Sequence, residues 1–182
     1  VAKKIYLEEH PNTNIHVINS LSAGGEVDLI VRKLNQLVAE DLDFDQVVEV
    51  ITKYQEKTKL LFVLAKVDNL VKNGRLSKLI GTVVGLLNIR MVGEASKTGT
   101  LELLQKARGQ KKAIKAAFDE LIKAGYKGGH ITIAHRNNEK FIEQFSELVR
   151  EKFAHALIEV LPTSGLCSFY AEEGGLLMGY EI

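Results

Sequence analysis

The chain has 182 residues, 46% of them hydrophobic, with 24 Lys and Arg against 23 Asp and Glu for a net charge of +1. This is enough apolar material for one ordinary domain or two small lobes, and the charge balance supplies no global field to gather nucleic acid. The single cysteine, Cys167, excludes an internal disulfide and fits a reducing compartment, and no apolar run approaches the roughly 20 residues that span a bilayer. No signal peptide is visible, and the opening on Val1 without an initiator Met reads as the middle of something longer.

Residues 14–19, N-I-H-V-I-N, are rich in β-branched side chains and predict a short strand. The run stops at 20–25, where Ser20, Ser22 and Gly24 lead into a helix with Val27, Ile30, Val31, Leu34, Leu37 and Val38 on one face. A strand-to-helix loop at a helix N-terminus offers backbone N–H groups to an anion. Ser and Gly also serve there as cap and turn residues. Glu26 and Asp28 already complement the helix dipole and would repel a phosphate. Both readings stay open. Neither G-x-x-x-x-G-K nor G-x-G-x-x-G occurs, so no motif supports a nucleotide site.

After a polar break at 41–45, Asp43 or Asp45 is placed to cap a helix carrying Val47, Val48, Ile51 and Tyr54. A charged link follows at 55–59. Residues 60–65, L-L-F-V-L-A, then predict a buried strand. A boundary at this link divides the chain into 1–57 and 58–182.

The middle of the chain, 68–108, organises the rest. A basic turn, Lys72-Asn73-Gly74-Arg75, precedes a segment at 79–87 that is apolar almost all round and carries Gly81 and Gly85. Such a segment is buried or walls a greasy cavity. Residues 91–96 and 100–108 predict two strands paired across Lys97-Thr98-Gly99, antiparallel because parallel neighbours need a crossover. Strict alternation puts Glu102, Leu104, Lys106 and Arg108 on one face of the second strand and Leu101, Leu103 and Ala107 on the other. Cations therefore meet apolar material twice, at Arg75 and at Lys106 with Arg108. An apolar cavity rimmed by cations suits a long-chain anion.

A basic helix opens at Gly109, turns Ile114, Ala117, Phe118, Leu121 and Ile122 inward, and stops at Gly125. Lys111, Lys112 and Lys115 form either a solvated face or an extension of the Lys106/Arg108 patch toward an acidic partner. A strand at 130–135, a helix burying Phe141, Ile142, Phe145, Leu148 and Val149, a strand at 156–161, a helical turn at 166–171 and a strand at 176–182 complete the chain. Strands alternating with helices make the class α/β. The five histidines show no metal-ligand spacing. Cys167 reads as a small packed residue and His135 as a hydrogen-bonded structural one. No Ser/His/Asp set and no paired carboxylates stand out. No catalytic machinery, cofactor, metal or nucleic-acid partner is expected.

Four stretches in order carry a family resemblance. N-I-H-V-I-N-S-L-S-A-G-G-E, D-N-L-V-K-N-G-R-L, G-L-L-N-I-R-M and L-L-Q-K-A-R-G-Q-K-K-A-I resemble, in turn, V-I-D-S-x-x-(A)-S-x-G-x-G, L-x-x-L-x-x-G-G-R-I, L-L-x-I-K-P and K-x-R-x-x-K-K-A of the DegV family, the bacterial fatty-acid-binding proteins. The resemblance covers about the last two thirds of such a protein.

It implies a two-lobed α/β architecture: the remainder of an N-terminal parallel α/β lobe, and a C-terminal lobe with a mostly antiparallel sheet and helices. It implies a cytoplasmic, non-enzymatic carrier that takes a long-chain fatty acid without stable membrane insertion. The carrier hands the acid to a separate fatty acid kinase catalytic subunit. By motif, Arg75 lies near the carboxylate, with Ser20, Ser22 and Gly24 of the strand-loop motif, and Lys106 and Arg108 meet the kinase. Where the family ends in H-T-G-P-G, with a histidine on the carboxylate, this chain has Tyr170-Ala171-Glu172-Glu173-Gly174. The hydroxyl of Tyr170 is left as the donor, with two acids opposing an anion. Asn19 replaces an Asp, and the family's Ser and Thr carboxylate donors belong to an N-terminal segment outside this chain. The alternative is a small-molecule sensor or enzyme on the same scaffold with a remodelled pocket.

Overall fold

The computed structural model describes residues 1–76 and 88–182, so the apolar segment predicted at 79–87, with Gly81 and Gly85, lies outside the described residues. Helices α1 (Ala2–Glu9), α2 (Gly25–Ala39) and α3 (Phe44–Gln55) come first. Strand β1 (Thr58–Leu64), the short α4 (Asp68–Lys72), β2 (Ile89–Ala95), β3 (Leu101–Arg108) and α5 (Gln110–Lys123) follow. The C-terminal part runs β4 (His130–His135), α6 (Glu139–Lys152), β5 (Leu157–Pro162), α7 (Gly165–Ala171) and β6 (Leu176–Glu181).

Among the described residues the strands form one mixed sheet in the order β3-β2-β1-β6-β4-β5. β4 and β5 run parallel, with α6 as their connection, and the other neighbours pair antiparallel. The alternation read from the sequence thus gives an α/β fold with a mostly antiparallel sheet. β1 sits at the centre and is buried on both faces from Leu60 to Leu64, which is why those five residues are all apolar. Leu61 and Val63 turn toward α5 and α6, where they join Ile131, Ile133, Phe141 and Phe145. Leu60, Phe62 and Leu64 turn the other way and pack with Met91, Leu70, Ala134 and Leu177.

α2 lies on this second face over β6 and β4, and glycine makes the approach possible. A Cβ on Gly25 would fall 2.1 Å from the Thr132 carbonyl oxygen and 2.6 Å from the Gly179 nitrogen. Polar ties hold the same contact. The Tyr54 hydroxyl donates to Glu181 at 2.8 Å, whose second oxygen accepts the His130 N–H at 2.8 Å. Arg32 bridges Asp28 at 2.5 Å and Glu159 at 2.9 Å. Residues 1–57 are joined to the sheet through these groups. Asp43 caps α3: its Oδ1 accepts the Gln46 N–H at 2.9 Å, and Gln46 Oε1 accepts the Asp43 N–H at 3.0 Å.

Two expectations change, and one element appears that the sequence did not announce. Residues 14–19 form no strand. A β-branched run becomes a strand only where a ladder partner exists, and here Val17 stays 62% exposed. α1, which no sequence signal announced, is an eight-residue helix burying none of its residues. The faces of β3 also differ from strict alternation. A bulge lies between Val92 and Gly93, so that Val92 pairs with Gln105 and Gly93 with Leu103, leaving Leu104 as the extra residue. Alternation is reset at that point. Lys106 and Arg108 pair with Met91 and Ile89 and share the face of Leu101 and Leu103, while Leu104 and Ala107 pack toward α5.

Candidate functional site

The face of the sheet that carries Leu60, Leu64, Leu101 and Leu177 opens into a cavity of about 400 Å³, closed at one side by α4 and α7. Its wall is mainly leucine, with Arg75, Thr100, Cys167 and Tyr170 as the polar contributors. A second compartment of about 340 Å³ adjoins it and shares Ala23, Leu60, Gly99 and Leu101 with it. The second compartment is lined by Asn19, Ser20, Ser22 and Thr98. One end of the combined space is therefore greasy and the other is rich in hydroxyls.

Local structure explains how these side chains arrive. The loop before α2 crosses to the β2–β3 turn, where Leu21 lies against Gly99, and the hydroxyl compartment is enclosed between them. In that turn Ser96 Oγ accepts the N–H groups of Thr98 and Thr100 at 3.2 and 3.1 Å. This serine-centred turn sets both threonines at the cavity rim. Arg75 follows α4 directly; its N–H donates to the Leu70 carbonyl at 2.8 Å, which turns the chain toward the cavity. Tyr170 sits on α7, with its ring packed edge-on against Phe169 at 5.1 Å between centroids.

The structure brings Arg75 and Tyr170 to the apolar compartment and Ser20 and Ser22 to the hydroxyl one. Gly24 lines neither. It has φ +58°, and a Cβ there would meet the Leu177 Cβ at 2.7 Å, so it seats the loop on β6. Lys106 and Arg108 are exposed on the edge strand β3 and border neither compartment. Lys115 is paired with Asp119 at 2.7 Å.

The two acids after Tyr170 do not oppose an anion in the cavity, contrary to expectation. Glu172 accepts the Asn69 N–H in the first turn of α4 at 2.8 Å, and Asn69 Nδ2 donates to the Phe169 carbonyl at 2.8 Å. Glu173 accepts from Asn137 Nδ2 at 3.1 Å and stands 3.8 Å from Arg136. Both acids serve as ties between segments. His135 is held structurally, its Nδ1 accepting the Asn138 N–H at 3.3 Å.

Sequence reasoning missed a buried group beside the site. Glu26 is 6% exposed, its Oε1 accepts the Thr58 hydroxyl at 2.8 Å, and its Oε2 accepts the Ser22 hydroxyl. The S-x-x-x-E spacing of Ser22 and Glu26 reads only as a helix-start acid, and Thr58 lies too far along the chain to signal the contact.

Among the described residues no group of three or more His, Cys, Asp or Glu gathers as a metal site, and no helix is long and apolar enough to cross a membrane.

A family model described as "Uncharacterised protein, DegV family" matches residues 1–180. A DegV domain-containing protein of Streptococcus gordonii is 76% identical over the whole chain. The chain spans 65% of that relative's length. It is similar to the crystal structure of the Streptococcus pneumoniae Fatty Acid Kinase B3 protein loaded with linoleic acid, at 77% identity and a TM-score of 0.97, covering 100% of this chain and 64% of that one. It is also similar to a DegV family protein of Eubacterium eligens loaded with heptadecanoic acid, at 36% identity and a TM-score of 0.94, covering 99% of this chain and 65% of that one.

Proposed function

Because the chain belongs to the DegV family, we propose that it holds a long-chain fatty acid in the two-compartment cavity and presents the carboxylate to a separate fatty acid kinase catalytic subunit. The observation that carries this reading is the leucine-walled cavity of about 400 Å³ adjoining a hydroxyl-lined one across shared wall residues. That is the size and lining of a small-molecule site, which runs to roughly 300–1,000 Å³. The fatty acids in the two similar crystal structures support the same class of ligand.

The energetics follow from the lining. Each buried CH₂ contributes about 0.8 kcal/mol, so a tail of about 15 methylenes supplies on the order of 12 kcal/mol before the costs of binding. The tail sets the affinity. The polar groups, Arg75, Tyr170 and Ser20, orient the carboxylate and keep it from being buried unpaired, and Ser22 shapes the loop that carries Ser20. Hydroxyl donors from a segment N-terminal to Val1, as the family resemblance implies, complete that end. Residues 1–57 belong with that segment to one lobe and 58–182 form the other. Lys106 and Arg108 are the contact for the kinase. The protein works in the cytoplasm as a carrier, and the phosphoryl transfer belongs to its partner.

The test is native mass spectrometry of the protein at its natural length. One long-chain acid per chain, released on denaturation, is expected. Recovery of no acid, together with no uptake of oleic acid on incubation, overturns the proposal. A polar ligand in its place would mark a sensor or enzyme on the same scaffold.

A further inference from the structure

We infer that Glu26 is a positioning residue for the ligand's head group: it straps the 20–24 loop into the form that lines the hydroxyl compartment and turns the Ser22 proton away from that compartment. The inference rests on the fatty-acid reading above. Glu26 touches three parts of the fold at once. It stands in the first turn of α2, it accepts the Thr58 hydroxyl from the start of β1 at 2.8 Å, and it accepts the Ser22 hydroxyl from the loop. The root of the loop is immobilised separately, by Gly24 against Leu177 and Gly25 against Thr132 and Gly179. The Ser22–Glu26 bond is what holds the crest.

The direction of the bonds decides what the loop offers a ligand. A carboxylate only accepts, so Ser22 and Thr58 both spend their protons on it. Ser22 Oγ then faces the compartment with lone pairs alone and cannot donate to an acyl carboxylate. Ser20 differs: its Oγ accepts the Ser22 N–H at 3.3 Å, and its proton has a long contact of 3.5 Å to the Ser22 carbonyl, so that proton is available to a head group. Of the two loop serines, Ser20 is therefore the one that can donate to a head group, and Ser22 acts through Glu26 to keep Ser20 in place.

Oleic acid and oleyl alcohol, titrated into the full-length protein, separate this role from simple packing. Glu26→Ala is expected to weaken oleic acid binding about tenfold and oleyl alcohol binding less than twofold, since the tail still enters the leucine-walled compartment. Glu26→Gln is expected to stay within about twofold of wild type for both ligands. Thr58 can turn its proton to the Gln55 carbonyl, 3.1 Å away, and accept the amide N–H, while the amide oxygen accepts Ser22. Ser22→Ala keeps the buried acid and removes only the strap, so it should reproduce the Glu26→Ala loss and covers the case in which Glu26→Ala fails to fold. An unchanged acid-to-alcohol ratio in both alanine variants overturns the inference. Wild-type protein that binds neither probe overturns the fatty-acid reading itself, and the two failures are thus distinct.

Discussion

Arg75 and Tyr170 are separated by most of the chain in sequence, yet they line one cavity because α4 and α7 are tied through Asn69, Glu172 and the Phe169 carbonyl. Arg75 is exposed, so water and salt screen its charge, and its effect on a carboxylate is moderate. Arg75→Ala should weaken oleic acid binding roughly three- to tenfold, the loss shrinking at high salt. Titration calorimetry at two ionic strengths checks this. The acids beside Tyr170 show why residue type alone misleads. Glu172 and Glu173 read as a threat to an anion, but each accepts hydrogen bonds from neighbouring segments, and only the fold shows which way a carboxylate turns.

At the scale of elements, local signals served well where they were local. An acid cap at Asp43 or Asp45, the apolar run at 60–64 of β1 and the two strands flanking Lys97-Thr98-Gly99 all follow from short stretches of sequence, and the fold puts the cap at Asp43. Two elements escaped. Residues 14–19 have strand-like side chains with no ladder partner among the described residues, and α1 forms without an apolar face to announce it. β3 is the most instructive case. Its one extra residue, Leu104, carries Lys106 and Arg108 onto the face that strict alternation denied them. The two cations lie on the edge strand and outside both compartments, so the kinase contact proposed for them is separable from lipid binding. Lys106→Glu with Arg108→Glu should leave oleic acid affinity within about twofold of wild type while lowering kinase-dependent phosphorylation of the bound acid at least about tenfold, as reversed charges at an interface do. Paired binding and phosphorylation assays read the two effects.

For the molecule as a whole, buried tyrosines set the alkaline limit. Burial, and then the Glu181 carboxylate, push the Tyr126 phenol up to about 12. Burial and the hydrogen-bonded Glu181 raise Tyr54, and burial with the Glu94 carboxylate raises Tyr180, whose hydroxyl has no hydrogen-bond partner among the described residues. A raised phenol keeps its proton in the folded chain after the unfolded chain has lost it. Stability from these groups is complete below the unfolded value of about 10 and falls as pH rises from there through the folded values. The slope reaches about 1.4 kcal/mol per pH unit for each tyrosine involved. Urea midpoints should hold steady on this account up to about pH 10 and drop between pH 10 and 12. Tyr126→Phe should flatten that drop.

By itself the sequence determined the α/β class, the buried central strand, the antiparallel pair across 97–99 and the resemblance to the DegV family, because periodicity, turn residues and motifs are read within a few neighbouring positions. Only the tertiary structure decided which face Lys106 and Arg108 occupy, which way Glu172 and Glu173 turn, and that Glu26 joins Ser22 to Thr58 beside the cavity. Those outcomes depend on the register of one strand against another and on hydrogen bonds between residues as much as 103 positions apart, and no local pattern encodes either.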